Sequence, residues 1–158
     1  MRQVWLVIVG GLVAGLLDIV DAFIFFGMRG VKLLSIPQSI SAGLLGDEAF
    51  SGGTETFVMG LALHFAIAVI MALVFYAVVK LLPVLGHHAL IVGAVYGIGL
   101  YLVMTYGVLP LSNFKMGHNP DFPPAVTPGL FNALFAHIVL VGMTIGVFSK
   151  RALAATTN

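Results

Sequence analysis

Long apolar segments alternate with short polar ones along the chain, and four of the apolar segments are long enough to cross a bilayer. They cover about residues 4–27, 56–79, 89–111 and 129–149. Roughly 20 helical residues cross about 30 Å of hydrocarbon. A membrane-spanning backbone must form a helix or a closed barrel, and barrel strands would show short alternating segments, so these continuous runs predict helices. The pattern therefore predicts an all-α fold, a single transmembrane domain (1–158) built as a four-helix bundle.

Two longer loops, 28–55 and 112–128, are predicted on the membrane side opposite to both termini. The connection from Lys80 to His88 is short, which predicts that the second and third spans are antiparallel neighbours. Apolar residues recur at helical spacing in the first loop, at Leu33, Ile36, Ile40 and Leu44. This stripe predicts either an amphipathic helix on the outer membrane interface or a lid or re-entrant segment over a cavity.

The composition agrees with a membrane location. Hydrophobic residues make up 60% of the chain and charged residues 8%, against about 25% charged residues in soluble domains. This excludes an ordinary soluble domain, a disordered chain and a nucleic-acid-binding protein, and makes the lipid bilayer the expected environment. Cysteine is absent, so disulfides and thiolate ligands are excluded. The first apolar segment is too long and too acidic for a signal peptide and is expected to be a retained span.

The basic residues predict the orientation. Four lie on the side that carries the termini, namely Arg2, Lys80, Lys150 and Arg151. Three lie on the opposite side, namely Arg29, Lys32 and Lys115. Because Lys and Arg accumulate on the cytoplasmic side, both termini are predicted to be cytoplasmic.

The two helical hairpins resemble each other. Val9-Gly10-Gly11 in the first span matches Val92-Gly93-Ala94 in the third, and the second and fourth spans each carry one histidine about eight residues from their start. A tandem duplication of a hairpin would explain both features. It predicts a pseudo-two-fold axis along the membrane normal.

Polar residues inside the spans mark the candidate site. Asp18 and Asp21 share one face of the first span, and a charged residue at a span centre costs about 2.5–3.5 kcal/mol. At 1.5 Å per residue, Asp18, His64, Tyr101 and His137 each lie about 12 Å below the outer helix ends. Every span therefore contributes a polar group to one layer, where the groups can converge within a four-helix bundle.

Four hypotheses follow for this layer. It could be interhelical hydrogen bonding without further function. It could hold a divalent metal ion, with Asp18, Asp21, His64 and His137 as ligands and with Tyr101 and Thr105 as hydrogen-bonding support. It could bind a b-type haem through the two histidines, or it could pass protons or small solutes. In the last case a homo-oligomer is expected, because four spans are few for a monomeric transporter. His118, in the second loop, could capture a metal with Asp121.

A different class of function is a structural or assembly subunit. Faces of small residues, Gly11 with Gly15 and Gly93 with Gly97, could pack against another membrane subunit or a second copy. No nucleotide-binding or hydrolase signature is present, so nothing in the sequence requires catalysis. The preferred function is binding or passage of a cation or a bound cofactor by the Asp/His layer.

Several stretches resemble a known group of proteins. They are Ser39–Gly46, Leu63–Phe65, Tyr101–Met104 and Val108–Ser112. Through these stretches the sequence resembles small four-span bacterial inner-membrane proteins of unknown function, and the likeness covers most of the chain. The resemblance implies four helices and a bacterial inner membrane, and it implies no activity.

Overall fold

The computed structural model describes residues 1–115 and 120–155. The helices in chain order are α1 (Arg2–Gly27), α2 (Ser35–Leu45), α3 (Gly53–Leu81), α4 (Pro83–His87), α5 (Ala89–Leu111) and α6 (Pro128–Ala154). Four of the helices in the described ranges, α1, α3, α5 and α6, are long and apolar enough to cross a membrane. The predicted all-α bundle is confirmed, and the long helices match the predicted spans apart from a few residues at their ends.

The outward faces of the long helices are apolar. Large side chains such as those of Leu16, Val58, Ile70 and Val95 are more than half exposed. A soluble monomer rarely exposes apolar surface on this scale, so the surrounding medium is a lipid bilayer. Both termini lie at one end of the bundle, called here the terminal end. The other end carries α2 and the long connections and is called the loop end.

Helix α1 lies at the centre of the arrangement and packs against α3 on one side and α6 on the other, while α5 packs chiefly against α6. The predicted neighbours α3 and α5 touch only in the half nearest the termini. There the Tyr96 hydroxyl donates to the Met71 carbonyl oxygen at 3.0 Å, and the Tyr96 ring lies 5.2 Å from the Phe75 ring. Toward the loop end a cavity is lined by Leu63 and Ile67 of α3 and by Met104 and Val108 of α5. The predicted neighbours therefore contact each other toward the terminal end and face a shared cavity toward the loop end.

The interior of the terminal half is an apolar core. Its members include Val7 from α1, Phe75 and Val79 from α3, and Ile145 from α6, each at most 1% exposed. Burial of such side chains stabilises the packed helices by dispersion contacts, because lipid offers them no hydrophobic driving force. The core therefore packs α1, α3 and α6 together in the terminal half.

Small residues set the helix contacts. Gly93 and Gly97 of α5 approach the α6 backbone so closely that an added Cβ would meet the Gly142 and His137 carbonyl oxygens respectively. Gly11 of α1 packs on the α3 backbone, where an added Cβ would lie 2.7 Å from the Val69 Cα. These contacts bring the polar residues of neighbouring helices within reach of one another.

Helix α2 is fastened to the start of α3 by a buried polar cluster. The Gln38 amide donates to the Gly53 carbonyl at 3.0 Å and to the Thr56 hydroxyl at 3.2 Å. Thr56 in turn donates to the Ala49 carbonyl at 2.7 Å, and the Ser41 hydroxyl donates to the Thr56 carbonyl. Because these bonds are sheltered from water, they hold α2 firmly across the loop end of the bundle.

Some residues of the predicted apolar stripe in the first loop pack against the bundle, and others are exposed on its surface. Leu33 precedes α2, and both Leu33 and Leu44 are 57% exposed. Ile36 is buried and Ile40 reaches an internal cavity. Helix α2 therefore has one face on the bundle, as a lid would, and leaves the other face outward, as an interfacial helix would.

Two of the long helices contain π-helical segments. Met104–Val108 interrupts α5 and Ala136–Met143 interrupts α6. The π-helix is rare and is often found at functional sites, because the extra residue in a turn redirects side chains. Both segments lie on the loop-end half of the bundle, where α3 and α5 face a shared cavity.

Candidate functional site

Asp18 and His64 face each other across the contact of α1 with α3. The His64 Nε2 lies 3.9 Å from the Asp18 Oδ2 and 2.8 Å from the Gly15 carbonyl oxygen. A carbonyl oxygen only accepts, so His64 Nε2 carries a hydrogen and donates it to Gly15, which leaves Nδ1 as the basic nitrogen. Gly15 packs closely on α3, since an added Cβ would lie 3.0 Å from the Phe65 ring and 3.1 Å from the Ala68 Cβ.

His137 projects from the π-helical segment of α6. Its Nδ1 lies 2.8 Å from the Ala133 carbonyl oxygen one turn earlier, so Nδ1 carries a hydrogen and Nε2 is the basic nitrogen of the neutral ring. The Tyr101 ring of α5 meets the imidazole edge to face at 5.8 Å. The bond to Ala133 and the ring of Tyr101 together fix the orientation of His137.

Asp18, His64 and His137 line one internal cavity of about 120 Å³. The rest of its lining is apolar and includes Ile40 from α2 and Met104 from the π-helical segment of α5. Residue counting along the spans predicts that Asp18, His64 and His137 lie at one depth, and in the structure these three side chains line the same cavity. A carboxyl group and two imidazoles thus share an otherwise apolar chamber in the loop-end half of the bundle.

Asp21 has a different environment. The Asn132 side-chain amide of α6 donates to its Oδ2 at 2.8 Å. Asp21 is not among the described residues that line the cavity. Depth along the spans predicts this pairing, because Asn132 lies just over one turn before His137 and Asp21 just under one turn after Asp18, on the same side of the polar layer. The two aspartates of one face therefore have separate partners.

The predicted metal ligands do not form a metal-binding group. Within residues 1–115 and 120–155, no cluster of three or more His, Cys, Asp or Glu side chains could hold a metal ion. The separate partner of Asp21 explains part of this result, since it removes one of the two predicted carboxylates. His118, the proposed outer ligand, lies outside the described residues.

A b-type haem also fits the site poorly. Ligand pockets commonly measure about 300–1,000 Å³, and this cavity is about 120 Å³. The Nε2 of His64 is already committed to the Gly15 carbonyl, so it offers no lone pair to an iron. Of the predicted supporting residues, Tyr101 contacts His137 by its ring, whereas Thr105 is not among the described residues of the cavity lining.

The small-residue faces proposed for a partner subunit are used within the chain. Gly93 and Gly97 lie against α6, and Gly11 and Gly15 lie against α3. All four glycines are buried. The prediction that these glycines bind another membrane protein is therefore wrong for these residues, because their surfaces are already covered.

The three side chains of the cavity, one carboxyl group and two imidazoles, are groups that can each gain or lose a proton. With one proton shared between Asp18 and His64, the pair has no net charge, either as an ion pair or as two neutral groups. As an ion pair separated by about 4 Å, the charges attract by about 4 kcal/mol at an effective dielectric constant of about 20. His137 adds a second basic nitrogen to the same chamber. No known protein family, curated protein or solved structure matches the chain, so the chemistry of these residues carries the functional argument.

Proposed function

We propose that the protein is a multi-span membrane protein whose function depends on reversible protonation of Asp18, His64 and His137 inside the bilayer. The cation that the site binds is a proton. The observation that carries the proposal is the common cavity: among the described residues of its lining, these three are the ones with ionisable side chains. Asp and His are the residues that exchange protons within membranes.

The surroundings of the cavity favour proton binding over proton conduction. Beyond the cavity, toward the terminal end, lies the apolar core with Phe75, Val79 and Ile145. A proton path through this region would need polar groups or water, and the described polar groups there are the buried Ser149 hydroxyl and the Tyr76 and Tyr96 hydroxyls, which bond to Gln3 and to the Met71 carbonyl respectively. On this basis the proposed site is a chamber with a closed inner end, suited to bind a group and exchange a proton with it.

The proposed setting is a bacterial inner membrane with both termini in the cytoplasm. The excess of Lys and Arg at the terminal end supports this orientation. It places the cavity in the half of the bilayer that faces away from the cytoplasm. The resemblance of several stretches to small four-span bacterial inner-membrane proteins supports the same location.

Infrared difference spectroscopy tests the proposal directly. The protein, labelled with ¹³C at its aspartate carboxyl groups, is placed in lipid nanodiscs and titrated over the pH range in which it stays folded. We expect a titrating carboxyl band that is lost in Asp18→Asn. Asp21→Asn is the matched control, because Asp21 lies on the same face of α1 but outside the cavity lining, and the band should persist in that variant.

Two further measurements complete the test. In His64→Gln the midpoint of the Asp18 band should move, because the imidazole that lies 3.9 Å from the Asp18 carboxyl group has been removed. In proteoliposomes that contain a pH-sensitive dye, the wild type should show no more proton flux than empty vesicles. A titration that is unchanged by Asp18→Asn would refute proton binding at this site, and flux that is abolished by Asp18→Asn would refute the closed inner end.

A further inference from the structure

A second, larger cavity adjoins the acid–histidine chamber. It is a groove of about 520 Å³ between the loop-end halves of α3 and α5, beneath α2. Its walls are formed largely by aliphatic side chains, among them Leu63 of α3 and Val108 and Leu109 of α5. The volume lies within the range of about 300–1,000 Å³ typical of small-molecule sites, which are also mostly apolar.

The groove is covered at the loop end of the bundle. The Asn113 backbone amide donates to the Gly43 carbonyl at 2.9 Å, and the Asn113 side-chain amide donates to the Leu44 carbonyl at 2.7 Å. These bonds tie the end of α5 to the end of α2 above the groove. Two of the lining residues, Val108 and Leu111, are also 42% and 89% exposed on the apolar surface of the bundle. Hydrocarbon of the bilayer therefore contacts part of the groove wall.

The inner end of the groove meets the chamber. Ile40, Ile67 and Met104 line both cavities, so only their side chains separate the aliphatic walls from Asp18 and His64. Met104 is the first residue of a π-helical segment and has an unbranched, adaptable side chain. The two cavities are thus neighbours that share three side chains, the larger one apolar and the smaller one carrying the ionisable groups.

We infer that the combined site binds a neutral, single-chain amphiphile taken from the bilayer. Its hydrocarbon chain occupies the groove, and its small hydroxyl or carbonyl head reaches Asp18 and His64 and exchanges hydrogen bonds with them. This inference rests on the proposed function, because the polar end is the protonatable chamber. A phospholipid head is a poor occupant of the polar end, since the chamber measures only about 120 Å³.

Photo-crosslinking tests the occupant. The probe is a long-chain alcohol with a diazirine in its chain, added to the purified protein in nanodiscs. We expect covalent adducts on the groove walls, at residues such as Leu63 and Leu109, and competition by the unlabelled alcohol. Added phospholipid should compete far less. Equal competition by phospholipid would mean that ordinary lipid tails fill the groove. Labelling that falls with rising protein concentration would mean that a second copy of the chain covers the groove. Either result would overturn the inference.

Filling the groove provides the mutational test. Leu63→Trp should reduce labelling at least tenfold, and Leu109→Trp is the second variant should the first fail to fold. Val58→Trp is the matched control, because Val58 is on the same helix and is 57% exposed to lipid; its labelling should match the wild type. Labelling that survives both groove substitutions in folded protein would refute the groove.

The polar end has its own readout. Asp18→Leu should weaken alcohol binding about tenfold to a hundredfold, as expected for loss of a hydrogen bond to a charged group. The two proposals fail separately. If Asp18 titrates in the infrared experiment but Leu63→Trp leaves labelling intact, the ligand inference alone is wrong. If labelling is lost in Leu63→Trp but no Asp18 titration is found, protonation alone is wrong.

Discussion

Replacing Gly97 by alanine is expected to loosen the contact between α5 and α6 that holds His137. The added methyl carbon would meet the His137 carbonyl oxygen and lie 2.7 Å from the Ile138 Cα. Both are backbone atoms, so no side-chain rotation relieves the clash and the helices must move apart. Overpacking of this kind costs about 1–3 kcal/mol. We expect a loss of that size in the free energy of unfolding.

The measurement is unfolding in mixed micelles, with rising SDS fraction and helix content followed by circular dichroism. Gly99→Ala is the matched control, because an added Cβ at Gly99 meets no atom within 4 Å. That variant should be as stable as the wild type or gain up to about 1 kcal/mol from helix propensity. If Gly97→Ala and Gly99→Ala unfold at the same SDS fraction, Gly97 is not in close contact with the α6 backbone.

Two further substitutions test the polar contacts. Thr56→Val removes the hydroxyl that links Gln38 to the Ala49 carbonyl. We expect the free energy of unfolding to fall by about 1–3 kcal/mol and hydrogen exchange in α2 to become faster. Unchanged exchange in α2 would contradict its anchoring to α3. Asn132→Leu removes the hydrogen-bond donor to Asp21, and it should destabilise the protein in the same SDS assay. Adding Asp21→Asn to that variant should restore part of the lost stability. Purely additive effects of the two substitutions would contradict the pairing.

The fold and the depth of the site could be predicted because both depend on patterns local to each span. Run length predicted the four helices, and residue counting predicted that Asp18, His64 and His137 lie at one level. The structure brings these three side chains to one cavity. The bilayer makes such predictions possible, since it fixes how long each span must be and makes every polar residue within it costly.

Other features depend on how helices pack, which hydrophobic patterning does not encode. Nothing in the periodicity distinguishes Asp18 from Asp21, and their different partners follow from the rotation of α6 against α1. The cavity between α3 and α5 and the π-helical segments are likewise set by tertiary contacts. The tandem duplication stays a prediction. In the described residues, the second hairpin has no helix that corresponds to α2, and the first hairpin has no π-helical segments that correspond to those of α5 and α6.

The two aspartates of α1 provide an internal comparison that bears on function. They lie on one face, three residues apart, and face similar insertion costs. Asp21 receives a hydrogen bond of 2.8 Å from Asn132. Asp18 has no hydrogen-bond donor at that distance among the described residues, and its nearest charged partner, His64, is 3.9 Å away and directs its Nε2 hydrogen to Gly15. A fold selected for stability alone would satisfy both carboxyl groups in the same way. Asp18 is the one of the two that lines the cavity, with its side chain 26% exposed, so under the proposed function an incoming hydroxyl or carbonyl head and a proton would complete its bonding, and Asp18 rather than Asp21 is the residue whose substitution should abolish the function.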